Sequence, residues 1–199
     1  MTNEKQKFVL LDRDGVINRW ICGGYVTSWK EFEFLPEALQ ALRLLAESGY
    51  AALVVSNQAC VGKGLLSERE LHSITNRFVG EVSAFGGDIR GVYYCTHRAD
   101  AGCACRKPQA GLLRKAQAEH GFQFADTFVV GDSGSDIEAA HQVGSPALLV
   151  SSNTETDHAD LPPKVKFVRS LYEAAEIIIA TEPEGSRPLT GQGTGVSIQ

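Results

Sequence analysis

An α/β fold built on a doubly wound parallel sheet is predicted by three features of the chain. Short apolar runs recur along it, helical patterns closed by glycine lie between them, and polar clusters follow the ends of the runs. Phe8 to Leu11 is the first run and stops at Asp12; it is apolar throughout rather than alternating, as expected of a strand covered on both faces. Pro36 to Ser48 then reads as a helix ended by Gly49, and Ala51 to Val55 as a second strand leading into Ser56. Ser67-Glu68-Arg69-Glu70 is a capping box. It opens a helix to Phe85 whose stripe is Leu71, Ile74, Phe78, Val82 and Phe85, with Gly86 beyond. Gly91 to Tyr94 is the third run and meets Cys95; Gly111 to His120 is the next helix, stopped by Gly121. Thr127 to Val130 runs into Gly131-Asp132, Ser135 to Val143 is a helix closed by Gly144, and Ala147 to Val150 ends at Ser151. Lys164 to Val168 and Leu171 to Ala180 complete the series. No large cap is inserted between the runs, so an open site served by short loops is expected.

The chain has 199 residues and is 43% hydrophobic, enough for one domain with a sizeable core. That domain is placed at residues 1–180. Residues 181–199, rich in Gly, Pro, Ser and Thr, are expected to be a disordered tail. A formal charge of -5 leaves no general basic surface for nucleic acid, so an anionic ligand must be held by a few local cations, for which Lys63, Arg106 and Lys107 are the candidates. Met1 to Lys7 is polar, and no later stretch approaches the roughly 20 apolar residues of a membrane span. A cytoplasmic monomer without membrane or nucleic-acid partners is the expectation. Five cysteines is an odd count, and Cys95, Cys103 and Cys105 cluster near His97, which favours a metal and a reducing compartment over disulfides. Cys22 and Cys60 lack comparable neighbours and receive no role.

Asp12-Arg13-Asp14-Gly15 places two carboxylates on one face if the backbone stays extended, and Gly15 lets the chain turn away. Phosphate monoesters are among the slowest uncatalysed hydrolyses, so an enzyme for them must supply a nucleophile and neutralise charge. Asp12 is suited to the first task through an acyl-phosphate, and Asp14 to proton transfer with the leaving oxygen and then with water. Magnesium, hard and oxygen-seeking, suits such a site, and Asp132 after the fourth run can complete its carboxylate set. Ser56 and the following backbone N–H groups can hold phosphoryl oxygens while Lys107 offsets their charge. Each cluster alone is ordinary turn or cap chemistry; their joint occurrence, in order, at strand ends carries the reading. Cys95, His97, Cys103 and Cys105 make three thiolates and an imidazole, a closed structural zinc set. Arg106 and Lys107 follow its last member, so loss of zinc is expected to lower activity by disordering both cations.

Asp12-Arg13-Asp14-Gly15, Ser56-Asn57, Lys107 and Gly131-Asp132-Ser133-Gly134-Ser135-Asp136 together resemble the four motifs of the haloacid-dehalogenase-like (HAD-like) phosphohydrolases. Leu11 to Asn18, Gly24-Tyr25-Val26, Phe32 to Pro36, Tyr93 to Cys95 and Cys103 to Pro108 are most similar to the heptose 1,7-bisphosphate phosphatase group. The resemblance implies Asp12 as nucleophile, Asp14 as acid/base, magnesium held by Asp12, the Asp14 carbonyl and Asp132, and zinc in the cysteine loop. Asp136 would support by orienting Lys107 or a metal-bound water. It also implies a sugar phosphate substrate. Tyr25, Asn57, Gln58, Lys63 and Arg106 are the candidates to meet it, Lys63 or Arg106 as the second cation that a bisphosphate needs away from the reacting phosphate. Two stretches bordering the expected sugar site depart from the group: Ala59 to Gly64 replaces its usual Ser-Gly-Ile-Ala-Arg-Gly, and Arg19 to Gly23 is longer and more apolar. Histidinol-phosphate phosphatases share the catalytic motifs and zinc loop and are the nearest rival. A phosphoacceptor signalling domain typically carries its aspartate after the third strand, not the first, and a zinc-organised binding module would be indifferent to loss of Asp12.

Overall fold

The computed structural model describes residues 6–151 and 165–181. Six strands form one sheet: β1 (Lys7–Leu11), β2 (Tyr50–Asn57), β3 (Ile89–Cys95), β4 (Val129–Gly131), β5 (Ala147–Val150) and β6 (Lys166–Val168). All neighbours are parallel, in the order β3-β2-β1-β4-β5-β6. The order reverses between β1 and β4, and in such sheets ligands bind beyond the carboxyl ends of the strands at that reversal. Asp12 and Asp132 leave those two strands side by side.

Continuous apolar runs are explained by the two cores. Val9 and Leu11 of β1, with Ala52 and Val54 of β2, pack on one face with the buried stripes of α1 (Ala38–Glu47), α3 (Glu68–Ala84) and α6 (Leu171–Ala180). Phe8 and Leu10, with Ala51, Leu53 and Val55, pack on the other with α4 (Gly111–His120) and α5 (Gly134–Val143). Alternate residues thus serve opposite layers, and no position is left for a polar side chain. Ser67 caps α3 as expected, accepting from the Glu70 amide at 3.2 Å while Glu70 returns the contact to Ser67 N–H at 2.9 Å.

Several expected boundaries move. The stripe of α3 ends at Val82; Phe85 is its C-cap and is 40% exposed. Thr127 belongs to the turn before β4, its hydroxyl donating to the Gln123 carbonyl at 2.9 Å, so the strand begins at Val129. Ala59–Gly62, within the stretch that departs from the resembled group, forms one helical turn, α2, tied to the end of β3 by Gln58 N–H to Cys95 O (2.8 Å) and Gly62 N–H to Thr96 O (2.9 Å). The early start of the last strand at Lys164 and the tail from 182 onward lie outside the described residues. Between β1 and α1, and between β3 and α4, the only regular elements are single 3-10 turns at Trp29–Glu31 and Ala99–Ala101, so no cap subdomain covers the carboxyl edge of the sheet among the described residues.

Candidate active site

A cleft of about 520 Å³ opens at the β1/β4 reversal, with Asp12, Asp14, Ser56, Asn57, Lys107 and Asp132 on its walls. Lys107 is 3% exposed; its ammonium donates to the Val55 carbonyl at 2.8 Å, lies 3.0 Å from Asp12 Oδ1, and makes a short contact with Asp136 Oδ1. Burial alone would pull this amine down, but Asp12 and Asp136 outweigh it and hold its pKa above the ordinary lysine value. Asn57 fastens the backbone that carries it, its side-chain carbonyl accepting from Lys107 N–H and its amide donating to Lys107 O, both at 3.1 Å. Asp136 is committed inward: Oδ1 to Lys107, Oδ2 to the Ser133 hydroxyl at 2.6 Å and Ser133 N–H at 3.2 Å.

Asp12, Asp132 and Asp136 bring carboxylate oxygens within 4.8 Å of one another. With Asp136 bound to Lys107, Asp12 and Asp132 are the pair facing the cleft. Gly15 makes their approach possible: its φ is +80°, and a Cβ there would fall 1.9 Å from Asp132 Oδ2. Burial pushes Asp12 up to about 6, Lys107 and the Ser56 hydroxyl opposing and Asp136 and Asp14 adding to the rise. Asp132 is pushed up to about 7 by burial and then by Asp12 and Asp136. A carboxylate pair this reluctant to ionise side by side fits a divalent, oxygen-seeking cation, magnesium above all.

Both aspartates bind protons more tightly in the fold than in the unfolded chain. The associated stability is therefore present below the ordinary aspartate value of 3.8 and is lost as pH rises through about 6 and 7. Magnesium competes with those protons, so its stabilising effect grows across the same window. Added magnesium should raise the melting temperature little at pH 5 and clearly at pH 8, by about 2–4 °C for each kcal/mol of binding. An increment that is the same at both pH values would contradict this.

Asp14 is held from three sides. Arg13 Nη2 lies 3.0 Å from both of its oxygens, Asn18 donates to Oδ1 at 2.8 Å, and Gln58 donates to Oδ2 at 2.7 Å and to the Ser56 hydroxyl at 3.1 Å. Gln58, expected to meet substrate, is 1% exposed and buried beneath Asp14 instead. Tyr25 does stand on the cleft wall, and Lys63 donates to its hydroxyl at 2.9 Å at the rim. Arg106 borders a neighbouring hollow with Cys103 and Pro108 rather than the main cleft. Trp20 and Ile21 also stand on the wall, and Arg13 and Asn18 partner Asp14, roles that nothing in their residue type or spacing signals. Phe32 and Phe34, read as part of a sugar-related motif, pack as core, with Phe32 stacked on Trp29 and Phe78 at 5.0 and 5.5 Å.

The Cys95, His97, Cys103 and Cys105 donors gather as expected. The Sγ–Sγ separations are 3.3 to 3.6 Å, and His97 Nδ1 lies 3.6 Å from Cys95 and 3.2 Å from Cys105. Those spacings approach the edge of about 3.8 Å spanned by a tetrahedron of Zn–S bonds. Burial, then a hydrogen bond with Cys105, pushes the Cys95 thiol up to about 12, whereas at Cys103 burial is outweighed by hydrogen bonds from its neighbours, which bring that thiol down to about 7. It is therefore Cys95 that needs a cation to be held as a thiolate beside Cys103. The donor set therefore fits zinc.

The HAD-hydrolase-like family model matches residues 104–174. A D-glycero-beta-D-manno-heptose-1,7-bisphosphate 7-phosphatase of Photorhabdus laumondii is 34% identical over 182 residues, covering 81% of this chain and 96% of its own. The chain belongs to the HAD-like phosphatases, in the heptose-bisphosphate phosphatase family. A D-glycero-alpha-D-manno-heptose-1,7-bisphosphate 7-phosphatase of Mycobacterium tuberculosis is 40% identical over 140 residues, 70% of this chain and 74% of the relative. The crystal structure of D,D-heptose 1,7-bisphosphate phosphatase from B. bronchiseptica, complexed with magnesium and phosphate, superposes with a TM-score of 0.81 at 30% identity, covering 88% of this chain and 99% of that one. As a HAD-like phosphatase the chain hydrolyses phosphate esters, and Asp12 and Asp132 lie at the strand ends where the fold places its ligands, with Lys107 brought beside Asp12 from the connection between β3 and α4.

Proposed function

We propose that this phosphatase hydrolyses D-glycero-D-manno-heptose 1,7-bisphosphate, or a closely similar sugar bisphosphate, through a phosphoryl group carried on Asp12. The observation that carries the mechanism is the Lys107 ammonium 3.0 Å from the Asp12 carboxylate, on the wall of an open cleft shared with Asp132. An Asp12 oxygen attacks phosphorus, the bond from phosphorus to the sugar oxygen breaks, and Asp14 gives that oxygen its proton. Asp14 then takes a proton from water, whose oxygen attacks phosphorus and frees Asp12 and inorganic phosphate. Lys107 and Ser56 hold the phosphoryl oxygens. Magnesium, which Asp12, the Asp14 carbonyl and Asp132 would hold, supplies charge neutralisation at phosphorus. Zinc at Cys95, His97, Cys103 and Cys105 would keep Lys107 in place from behind, and the Gly62 contact with Thr96 extends that support to the loop carrying Lys63.

The sugar assignment is supported by the named relatives and by a cleft wall of Trp20, Ile21 and Tyr25. Lys63, held on Tyr25, is the cation we assign to a second phosphate, whereas Arg106, which borders the neighbouring hollow, would need its loop to move to share that task. We place the enzyme as a single domain, residues 1–180 with the tail at 181–199, acting as a cytoplasmic monomer. No helix among the described residues is long and apolar enough to cross a membrane. Magnesium-dependent phosphate release across a panel of sugar phosphates and histidinol phosphate tests the substrate. The heptose bisphosphate should lead with release from C7; preferential turnover of histidinol phosphate would overturn the assignment.

A further inference from the structure

Arg13 is 0% exposed, a guanidinium sealed in the core beneath the site. Nη2 donates to both oxygens of Asp14 at 3.0 Å and to Gln58 Oε1 at 3.2 Å, while Nε and Nη1 have no hydrogen-bond partner. Its guanidinium carbon lies 6.0 and 5.9 Å from the ring centres of Phe32 and Tyr94. Burying a guanidinium costs several kcal/mol, and leaving two of its nitrogens unbonded adds to that cost. A position that served packing alone would be better filled by an apolar side chain.

The Phe32 and Tyr94 rings offset part of this cost, and the strong charge-assisted hydrogen bonds converge on one group. Asp14 Oδ1 accepts from Arg13 and Asn18, and Oδ2 from Arg13 and Gln58. Gln58 is bonded to Arg13 as well, so the guanidinium also fixes the second donor. Four contacts fill both oxygens, and one must lengthen for Asp14 to exchange a proton. The neutral amides of Gln58 and Asn18 yield before the charge-assisted contact does, so Arg13 is the anchor that remains.

We infer that Arg13 is the positioning residue of proton transfer: it fixes the Asp14 carboxyl against the leaving-group oxygen and stabilises the carboxylate formed as the proton departs. The inference rests on the reading of Asp14 as proton donor. In the step concerned, the bond from phosphorus to the ester oxygen breaks, the bond from Asp12 to phosphorus forms, and the Asp14 proton passes to the ester oxygen. A positive charge fixed behind Asp14 favours the far side of that transfer and so acts in the transition state. Its effect is confined to esters whose leaving oxygen needs a proton.

A leaving-group series separates this role from a structural one. kcat/KM is measured for Arg13→Met, Arg13→Lys, Asp14→Asn and the parent enzyme, all loaded with magnesium and zinc, on alkyl phosphates, sugar phosphates and p-nitrophenyl phosphate, whose phenolate departs unaided. Arg13→Met should lose roughly 10²-fold on the alkyl and sugar esters and only a few-fold on the aryl ester. Asp14→Asn should show the same selectivity, and Arg13→Lys should restore part of the alkyl activity. Where the Met variant fails to fold, Arg13→Gln, uncharged with a donor of similar reach, takes its place. Equal losses on alkyl and aryl esters, or no loss, with Asp14→Asn still selective, would overturn the role of Arg13 alone. An Asp14→Asn variant without selectivity removes the proton-donor reading, and the role of Arg13 falls with it.

Discussion

Asp12→Asn abolishes turnover and at the same time makes the metal-free protein more stable. The amide has no negative oxygen to attack phosphorus and is a poor ligand for magnesium, so the loss should reach roughly 10⁴-fold or more, as when a nucleophile is removed from other hydrolases. Stability moves the other way because the Asp12 carboxyl, pushed up to about 6 chiefly by burial, is ionised at a cost at neutral pH. The neutral amide is free of that cost, and a gain on the order of 1–3 kcal/mol is expected at pH 8 in a chelator. Lys107 keeps Asp136 as its partner, so no cation is stranded. Steady-state turnover, mass spectrometry of acid-quenched enzyme and thermal melts check the three parts. Turnover within tenfold of the parent, or a covalent phosphoryl group trapped on the Asp12→Asn variant, would remove Asp12 from its role.

Lys107→Met also loses turnover, roughly 10²–10³-fold through the missing charge on the phosphoryl oxygens, but destabilises the fold. Methionine is close to the lysine stem in length, so packing is largely kept. What disappears is the cation shared by Asp12 and Asp136, and the buried Asp136 is left facing Asp12 and Asp132. Breaking a buried pair from one side costs about 3–5 kcal/mol. Part of that cost is relieved when the stranded carboxyls take up protons, so the loss should be smaller at pH 5 than at pH 8. Equal losses at the two pH values would mean that the lysine stabilises by packing rather than by charge. The pair of variants thus separates catalytic loss from structural loss, since their melting temperatures shift in opposite directions.

The strands and most helices were legible because strands covered on both faces leave a continuous apolar signature, and glycines mark where helices stop. The site residues were legible for a related reason: a carboxylate or hydroxyl directly after such a strand is delivered to the carboxyl edge of the sheet. Less legible was which polar groups are already engaged. Asn57 and Gln58 stand beside Ser56 at the carboxyl end of β2, yet the amide of Asn57 is taken by the Lys107 backbone and that of Gln58 by Asp14 and Ser56. Residue type and position give no sign of such partners, which come from distant parts of the chain. Arg13 was missed for the same reason. Between two aspartates an arginine reads as a solvated charge, and only the folding of Phe32 and Tyr94 around it makes it a core residue. The turn at Ala59–Gly62 is too short for periodicity to reveal it.

The central place of β4 has a consequence for the life of the molecule. β4 is made long after β1 to β3, yet it must lie against β1 before Asp132 can stand beside Asp12. A chain emerging from the ribosome can pair its first three strands and expose its future nucleophile well before the opposing acid exists. Catalytic competence is therefore among the last properties the growing polypeptide acquires, and a product truncated ahead of Val129 would carry the attacking group with half of its electrostatic cradle missing.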